Sequence, residues 1–527
     1  MPTLEIDGRS VTVENGENLI QAAERLGIEI PHYCYHPGLT VAGNCRMCLV
    51  EIEKMPKLQI ACNTRATEGM VVRTAVDRVK KAREAVLEFL LINHPIDCPI
   101  CDQAGECKLQ DYYMDYDAQP SRRPLEEKVH KGKALDIGTH VMLDQERCIL
   151  CTRCVRFLDE VTQTGELGIF NRGDHSEIDL FSNKRLENAY SANVVDICPV
   201  GALTTKDFRF RARVWYLEHT PSVCATCATG CNIDIHHRRG QMYRFRPRQN
   251  DAVNQYWLCD EGRFSFPLYQ SEHRVLSPFV RREDRLVVST WPEVVAETTR
   301  RLHELHARAP EGIAGIVSAK CTNEEAYLFT RLVGGVFGGV VHGLSWSPAD
   351  ASHDDFLRDA DKNPNTRGLR ELGVPVESMD SLAQRIDAGE IKALLVLRAD
   401  LGKVLGMERL QALADKLEFL LVADSDGHPT AGLADVVLPI AAFPEMAGTF
   451  TNRRGRVQRI RAAFPAPGSA VEGWKLLADL GGELAHWDAY PSAEAVFADL
   501  AKVHAPFAGL SYTSIGALGA DVVSAGA

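Results

Sequence analysis

The sequence predicts an α+β chain of several domains, and three observations carry that prediction. Fifteen of the sixteen cysteines fall before residue 260 in four tight groups. The first thirteen residues alternate as a small strand hairpin does, with a helical pattern after them. From about residue 265 onward, apolar strand-like runs alternate with helical stretches, the pattern of parallel sheets with helices on their faces.

With 527 residues, the chain has room for roughly three or four domains. A composition 45% hydrophobic and 25% charged supports an ordinary buried core, and no stretch reaches the roughly 18 unbroken apolar residues that cross a bilayer. The expectation is therefore no membrane span. A net charge of −12 gives no general attraction for nucleic acid or anionic lipid. The opening MPTLEIDGRSVTV lacks a basic region followed by an apolar one, so a reducing compartment and free thiols are expected.

Residues 3–13, TLEIDGRSVTV, read as two strands joined at Asp7-Gly8, the dipeptide that supplies the positive φ angles of a tight hairpin. Leu19, Ile20, Ala23 and Leu26 recur at helical spacing, and Gly27 stands where a helix C-cap belongs. The next helix is expected from Asp77 to Asn93, with Val79, Ala82, Val86, Phe89 and Leu90 on its apolar face and Pro95 beyond its end. FRFRARVW, residues 208–215, would as a strand present Arg209, Arg211 and Arg213 on one face. Such a face is either a solvated edge or a basic surface for clusters or an acidic partner. HHRRGQMYRFRPR, residues 236–248, has the same two readings. In the second half IAGIVS, ALLVLRAD, FLLVADSD and DVVLPIA read as strands and NEEAYLFTRLVGGVF as a helix.

The chemistry lies in the cysteines. The groups are Cys34, Cys45, Cys48, Cys62; His94, Cys98, Cys101, Cys107; Cys148, Cys151, Cys154, Cys198; and Cys224, Cys227, Cys231, Cys259. Disulfides do not suit the expected compartment. Structural zinc remains an alternative, yet no group shows two matched Cys-x2-Cys pairs, whereas a triad with a distant fourth ligand suits an iron-sulfur cube. His94 taken alone reads as a helix-terminal residue bonding the last carbonyls. Beside Cys98, Cys101 and Cys107, which need a fourth ligand, it reads as that ligand. Cys198-Pro199 closes RCILCTRC in the manner of a bacterial ferredoxin run, and since the His94 set is complete, counting assigns it to the Cys148 group. Cys321, in SAKCTNEE, is left over and reads as buried packing.

The Cys34 group resembles the plant-type ferredoxins, a β-grasp fold holding [2Fe-2S], although ten residues separate Cys34 from Cys45 where that family has four. The four sets in this order resemble the large iron-sulfur subunit of respiratory complex I. SAKCTNEEAYLF, DKNPNTRG, ADVVLP and PEMAGTFTNRRGRVQ resemble a molybdopterin oxidoreductase domain, here shortened. The resemblance implies a division into residues 1–76 (β-grasp [2Fe-2S]), 77–140 ([4Fe-4S] on one histidine and three cysteines), 141–215 (ferredoxin-like [4Fe-4S]), 216–265 ([4Fe-4S] at the head of the molybdopterin-oxidoreductase-like region) and 266–527 (its shortened, degenerate α/β body). It implies one [2Fe-2S] and three [4Fe-4S] clusters with iron on the residues named, no catalytic residue in this chain and no molybdopterin. The Cys34 set is expected as a side link, the His94 and Cys148 sets as the main relay, and the Cys224 set as a stabilising centre off the path.

No Gly-rich dinucleotide fingerprint follows a strand, so the resemblance places hydride oxidation on another subunit. Its expected partners are a flavin-containing NADH-oxidising subunit with its small [2Fe-2S] companion, a two-cluster ferredoxin-like subunit leading to quinone, and other peripheral-arm subunits. The expected location is the cytoplasmic side of a bacterial inner membrane, held there by the complex. An NAD-linked formate dehydrogenase or hydrogenase subunit is the alternative. Against the former, CDEGR carries Glu261 where that enzyme needs a lysine. The tail from Ser511 to Ala527 has no motif that reads.

Overall fold

The computed structural model describes residues 1–116 and 120–523. It divides into two compact units, Met1–Leu217 and Glu218–Ala527.

In the first unit β1 (Thr3–Ile6) and β2 (Arg9–Thr12) form the expected antiparallel hairpin, turned by Asp7 at φ 46° and Gly8 at φ 78°. Helix α1 (Leu19–Arg25) starts at an Asn18–Gln21 capping box, which satisfies amides the first turn leaves open. It ends before Gly27 at φ 68°. With β3 (Leu49–Ile52), β4 (Gln59–Ile60) and β5 (Val71–Arg73) the hairpin builds a sheet in the order β2-β1-β5-β3-β4. Ile6, Leu19, Ile20, Val50 and Val72 make its core.

Helix α2 (Asp77–Leu91) forms where expected, but a different face is buried. Val79, Arg83 and Leu87 point inward, and Phe89 is 76% exposed. Arg83 decides the rotation, because its guanidinium donates to Leu49 O and to the Tyr116 hydroxyl. Tyr116 closes α3 (Lys108–Tyr116). A sheet of β6 (Leu135–Asp136), β7 (Val141–Leu143) and β10 (Leu203–Thr205) then frames α4 (Arg153–Glu160) and α5 (Asn193–Ile197), with the hairpin β8 (Leu167–Phe170) and β9 (Glu177–Leu180) beside them.

FRFRARVW is not a strand. Residues 206–211 are turns and Val214–Tyr216 a 3-10 turn. Phe210 sits at φ 62°, its amide captured by the Asp102 carboxylate at 2.9 Å, and Arg213 donates to the carbonyls of Pro99 and Cys101. The arginines are thus not aligned on one edge. Long-range partners have overridden the alternating pattern.

The second unit opens with an antiparallel sheet of β11 (Glu218–Val223), β12 (Asn232–Arg238) and β13 (Gln241–Pro247), which absorbs the second basic stretch as a hairpin turning at Arg239 and Gly240. A short helix α6 (Asp260–Arg263) follows. A seven-stranded sheet in the order β15-β14-β20-β19-β18-β16-β17 is the body of the unit. Its members are β14 (Phe279–Arg282), β15 (Arg285–Val288), β16 (Ile313–Ser318), β17 (Val340–Leu344), β18 (Ala393–Leu397), β19 (Phe419–Asp424) and β20 (Val436–Pro439). The last five run parallel, and the inner ones β16, β18 and β19 are covered on both faces, by α7 (Trp291–Arg308) and α8 (Asn323–Thr330) on one and by the helices Asp380–Asp387 and Met407–Ala414 on the other. The expected strands are all present, and the expected helix begins as α8 and continues as a π-helical segment, Arg331–Val336. The β14–β15 hairpin is an addition to them.

β21 (Gly448–Thr451) and β22 (Arg456–Ile460) complete the unit. The tail supplies their third strand, β23 (Ala520–Asp521), after a Ser511-capped turn of helix. Its last four residues lie outside the described ones. Among the described residues, no helix is long and apolar enough to cross a membrane.

Candidate metal centres

The first group is assembled by the β3–β4 side of the small sheet and the long loop before it. Cys34 is within hydrogen-bonding reach of Cys45 and Cys62, and Cys48 of Cys62. Hydrogen bonds from those two thiols hold Cys34 far below the ordinary thiol range, so the pocket already favours a thiolate. Arg46, beside Cys45, has φ 59°, the left-handed conformation that side chains seldom adopt.

Between α2 and α3 the chain carries His94, Cys98, Cys101 and Cys107. Ile96 takes φ 51°, a strained setting for a β-branched residue. Cys98 starts a 3-10 turn, Cys107 directly precedes α3, and the three thiols lie in mutual electrostatic reach. Burial pushes the Cys107 thiol up to about 11. It pushes His94 down to about 4, which keeps the imidazole neutral at pH 7, the form that binds metal. The charged groups around His94 are Asp97, Lys128, Arg147 and Lys133. Its Nδ1 accepts from the Ile96 amide at 3.2 Å. Ligation through Nε2 would move the proton to Nδ1 and exchange that bond. Arg147 grips Asp97 through Nε and Nη2.

The third group is the most complete. After β7 and a turn at Gln145–Arg147 come Cys148, Leu150 at φ 52° and Thr152 at φ 62°, before α4 delivers Cys154. The Leu150 amide donates to Cys148 Sγ at 3.4 Å. Cys198 arrives at the end of α5. All four thiols line one cavity, closed otherwise mainly by Leu143, Ile149, Ile178, Val200, Ala202 and Leu203. Removal from water pushes Cys148 and Cys198 up to about 12, so thiolates here call for a compensating cation.

In the second unit Cys224, Cys227 and Cys231 follow β11, with the Cys224 amide bonded to Cys231 O at 2.8 Å and Gly230 at φ 65°. Cys259 caps α6, accepting from the Gly262 amide at 3.3 Å. A Cβ on Gly262 would stand 2.9 Å from Cys224 Sγ, so glycine is what admits the thiols. Burial holds Cys224 up at about 11. Glu261 is bound by Lys362 at 2.7 Å.

Cys321 stands apart, fully buried between β16 and α8 with its thiol near Leu397 O at 3.8 Å. That is the packing role expected of it.

Contacts that the sequence did not suggest link three of the groups. Arg156 donates to the carbonyls of Cys34, Thr40 and Cys151, and Arg153 to those of Tyr35 and Ile197. The Cys34 loop therefore abuts the Cys148 group. On the other flank, a Cβ on Gly201 would lie 2.1 Å from Cys101 Sγ, so the Cys198–Gly201 turn serves one group and touches the next. Arg153 and Arg156, in and just after RCILCTRC, were the available signal.

Family models match the chain in the same order. They are a 2Fe-2S iron-sulfur cluster binding domain (residues 1–77), the NADH-ubiquinone oxidoreductase-G iron-sulfur binding region (83–122) and the NADH-quinone oxidoreductase subunit 3 ferredoxin-like domain (138–204). The molybdopterin oxidoreductase Fe4S4 domain (217–269) and molybdopterin oxidoreductase (349–483) follow. The NADH-quinone oxidoreductase G subunit of Rickettsia felis is 30% identical across 97% of this chain and 92% of its own. The chain belongs to the G-subunit family of NADH-quinone oxidoreductase. As a member of that family it is a subunit of an oxidoreductase complex, with 2Fe-2S and 4Fe-4S domains. The mitochondrial 78 kDa subunit of NADH-ubiquinone oxidoreductase from Candida albicans is 32% identical across 90% of this chain and 81% of its own. A chain of an NAD+-reducing [NiFe]-hydrogenase is 30% identical, covering 40% of this chain and 91% of that one, with a TM-score of 0.37.

Proposed function

We propose that this member of the G-subunit family passes electrons from an NADH-oxidising flavin subunit towards quinone, through one [2Fe-2S] and three [4Fe-4S] centres. The observation that carries the reading is the cavity whose wall holds all four thiols of the Cys148 group. A [2Fe-2S] centre is assigned to Cys34, Cys45, Cys48 and Cys62. The [4Fe-4S] centres are assigned to His94, Cys98, Cys101 and Cys107; to Cys148, Cys151, Cys154 and Cys198; and to Cys224, Cys227, Cys231 and Cys259. When bound, such centres supply one-electron carriers.

The chain's own residues fix the positions. Leu150 and Gly262 aim amides at ligand sulfurs, Arg153 and Arg156 clamp the Cys34 loop to the Cys148 group, and Gly201 brings Cys101 close. This arrangement favours placing the Cys34 centre in line with the Cys148 and His94 centres. The domain limits 1–76, 77–140, 141–215, 216–265 and 266–527 follow these assignments, with the last as a molybdopterin-oxidoreductase-like body that carries no pterin. A flavin subunit with its small [2Fe-2S] companion and a two-cluster ferredoxin-like subunit are the proposed neighbours, on the cytoplasmic side of a bacterial inner membrane.

Anaerobic metal and sulfide analysis with EPR of the reduced protein tests this. About fourteen irons per chain and no molybdenum are expected. Zinc in place of iron would overturn the reading, and stoichiometric molybdenum would favour the formate dehydrogenase alternative.

A further inference from the structure

Arg153 opens α4, one residue before Cys154. Its guanidinium is locked by carbonyls of two separate segments: Nη1 donates to Ile197 O at the end of α5 at 3.1 Å, next to Cys198, and Nη2 to Tyr35 O, next to Cys34. The third nitrogen, Nε, is buried and finds no hydrogen-bond partner among the described residues. Arg153 also lines the cavity shared by Cys148, Cys151, Cys154 and Cys198, in electrostatic reach of Cys151, Cys198 and Cys34. A dry N–H without a partner is destabilising, and the cavity wall to which Arg153 belongs otherwise offers chiefly thiols and hydrocarbon. Arg156, three residues on, provides the contrast. Its Nε is taken by Thr152 Oγ1 at 3.2 Å and the rest of its fork by backbone carbonyls, including that of Cys34. Both arginines hold the Cys34 loop, and of the two only Arg153 keeps a buried Nε–H without a partner among the described residues.

We infer that Arg153 is a positioning residue that donates its Nε–H to a sulfur of the centre held by the Cys148 group and raises that centre's reduction potential. The inference rests on the ligand assignment proposed above. Reduction adds one electron and no proton, so the reduced centre is one charge more negative. A fixed cation with an N–H aimed at sulfur stabilises that form over the oxidised one.

EPR-monitored redox titration of the intact complex carrying Arg153→Met, Arg153→Lys or Arg156→Met tests it. In Arg153→Met the reduced-to-oxidised ratio of the Cys148-group centre should fall about tenfold at a fixed potential, equivalent to about 59 mV for one electron. Arg153→Lys, which keeps the charge without the fork, should fall between, and Arg156→Met, which removes a charge in reach of Cys151 but no unpartnered Nε–H, should lower the ratio clearly less than Arg153→Met. An unaltered ratio in Arg153→Met, or an equal fall in Arg156→Met, overturns the inference. Should Arg153→Met not assemble, the unmodified complex grown on 15N-arginine decides. A 15N hyperfine coupling to the reduced centre supports the hydrogen bond, and its absence overturns it. If no EPR signal belongs to the Cys148 group even in the unmodified complex, the ligand assignment itself has failed.

Discussion

The two units of this chain are held together by different physics. Glu218–Ala527 is organised around a seven-stranded sheet whose buried strands Ile313–Ser318, Ala393–Leu397 and Phe419–Asp424 are covered on both faces. Met1–Leu217 has small sheets and long irregular loops, and some of its strained residues stand beside ligand candidates. Arg46, Ile96, Leu150 and Thr152 all take left-handed φ, each within two residues of a candidate ligand. Such residues cost on the order of 1–3 kcal/mol apiece and persist only when something over-determines them. The difference teaches that one unit rests chiefly on apolar burial, while the ligand assignment proposed above makes much of the other's loop structure depend on what its thiols bind.

The sharpest way to break this contrast is to remove the metal. Chelation of iron under reducing conditions should cost the first unit of the order of 10 kcal/mol. Hydrogen exchange should then show residues 30–62 and 94–202 losing protection while strands β16, β18 and β19 keep theirs. Equal loss in both units would sink the comparison.

Next in size is a cavity in the sheet. Phe419, fully buried, lies in the core with Leu395 and Leu421. Phe419→Ala should destabilise the second unit by about 3–5 kcal/mol in denaturant titration. The EPR signals of the first unit's centres should not move.

The smallest effect is set by pH. Glu324, fully buried on α8, accepts from the Thr449 amide at 2.8 Å and from the Tyr512 hydroxyl at 2.9 Å. Burial raises its carboxyl from 4.5 to about 7. The fold therefore prefers the neutral acid. Its contribution is intact below pH 4.5 and is lost as pH rises towards 7, a difference of about 3 kcal/mol. Glu324→Gln, neutral throughout, should stabilise the second unit at about pH 8 and leave it nearly unchanged at about pH 4.5. A Gln variant with the same pH-dependent melting temperature as the parent would contradict this.

What the sequence determined by itself is what depends on neighbours a few residues away. Asp7-Gly8 turns a hairpin because of its own backbone preferences, Gly27 ends a helix, and apolar runs such as ALLVL form strands wherever helices can cover them. The cysteine spacing likewise carried the number and membership of the candidate centres, because a loop ligand set is written in short intervals. Tertiary structure alone decided which face of α2 is buried, since Arg83 finds Leu49 O and Tyr116 across the fold. It alone unmade the FRFRARVW strand, through Asp102 and the carbonyls of Pro99 and Cys101. It also set which groups adjoin, because Arg153, Arg156 and Gly201 act on partners about a hundred residues away. The physical reason is common to all three: a side-chain donor or a missing Cβ acts across space, and no local pattern in the chain records what it will meet.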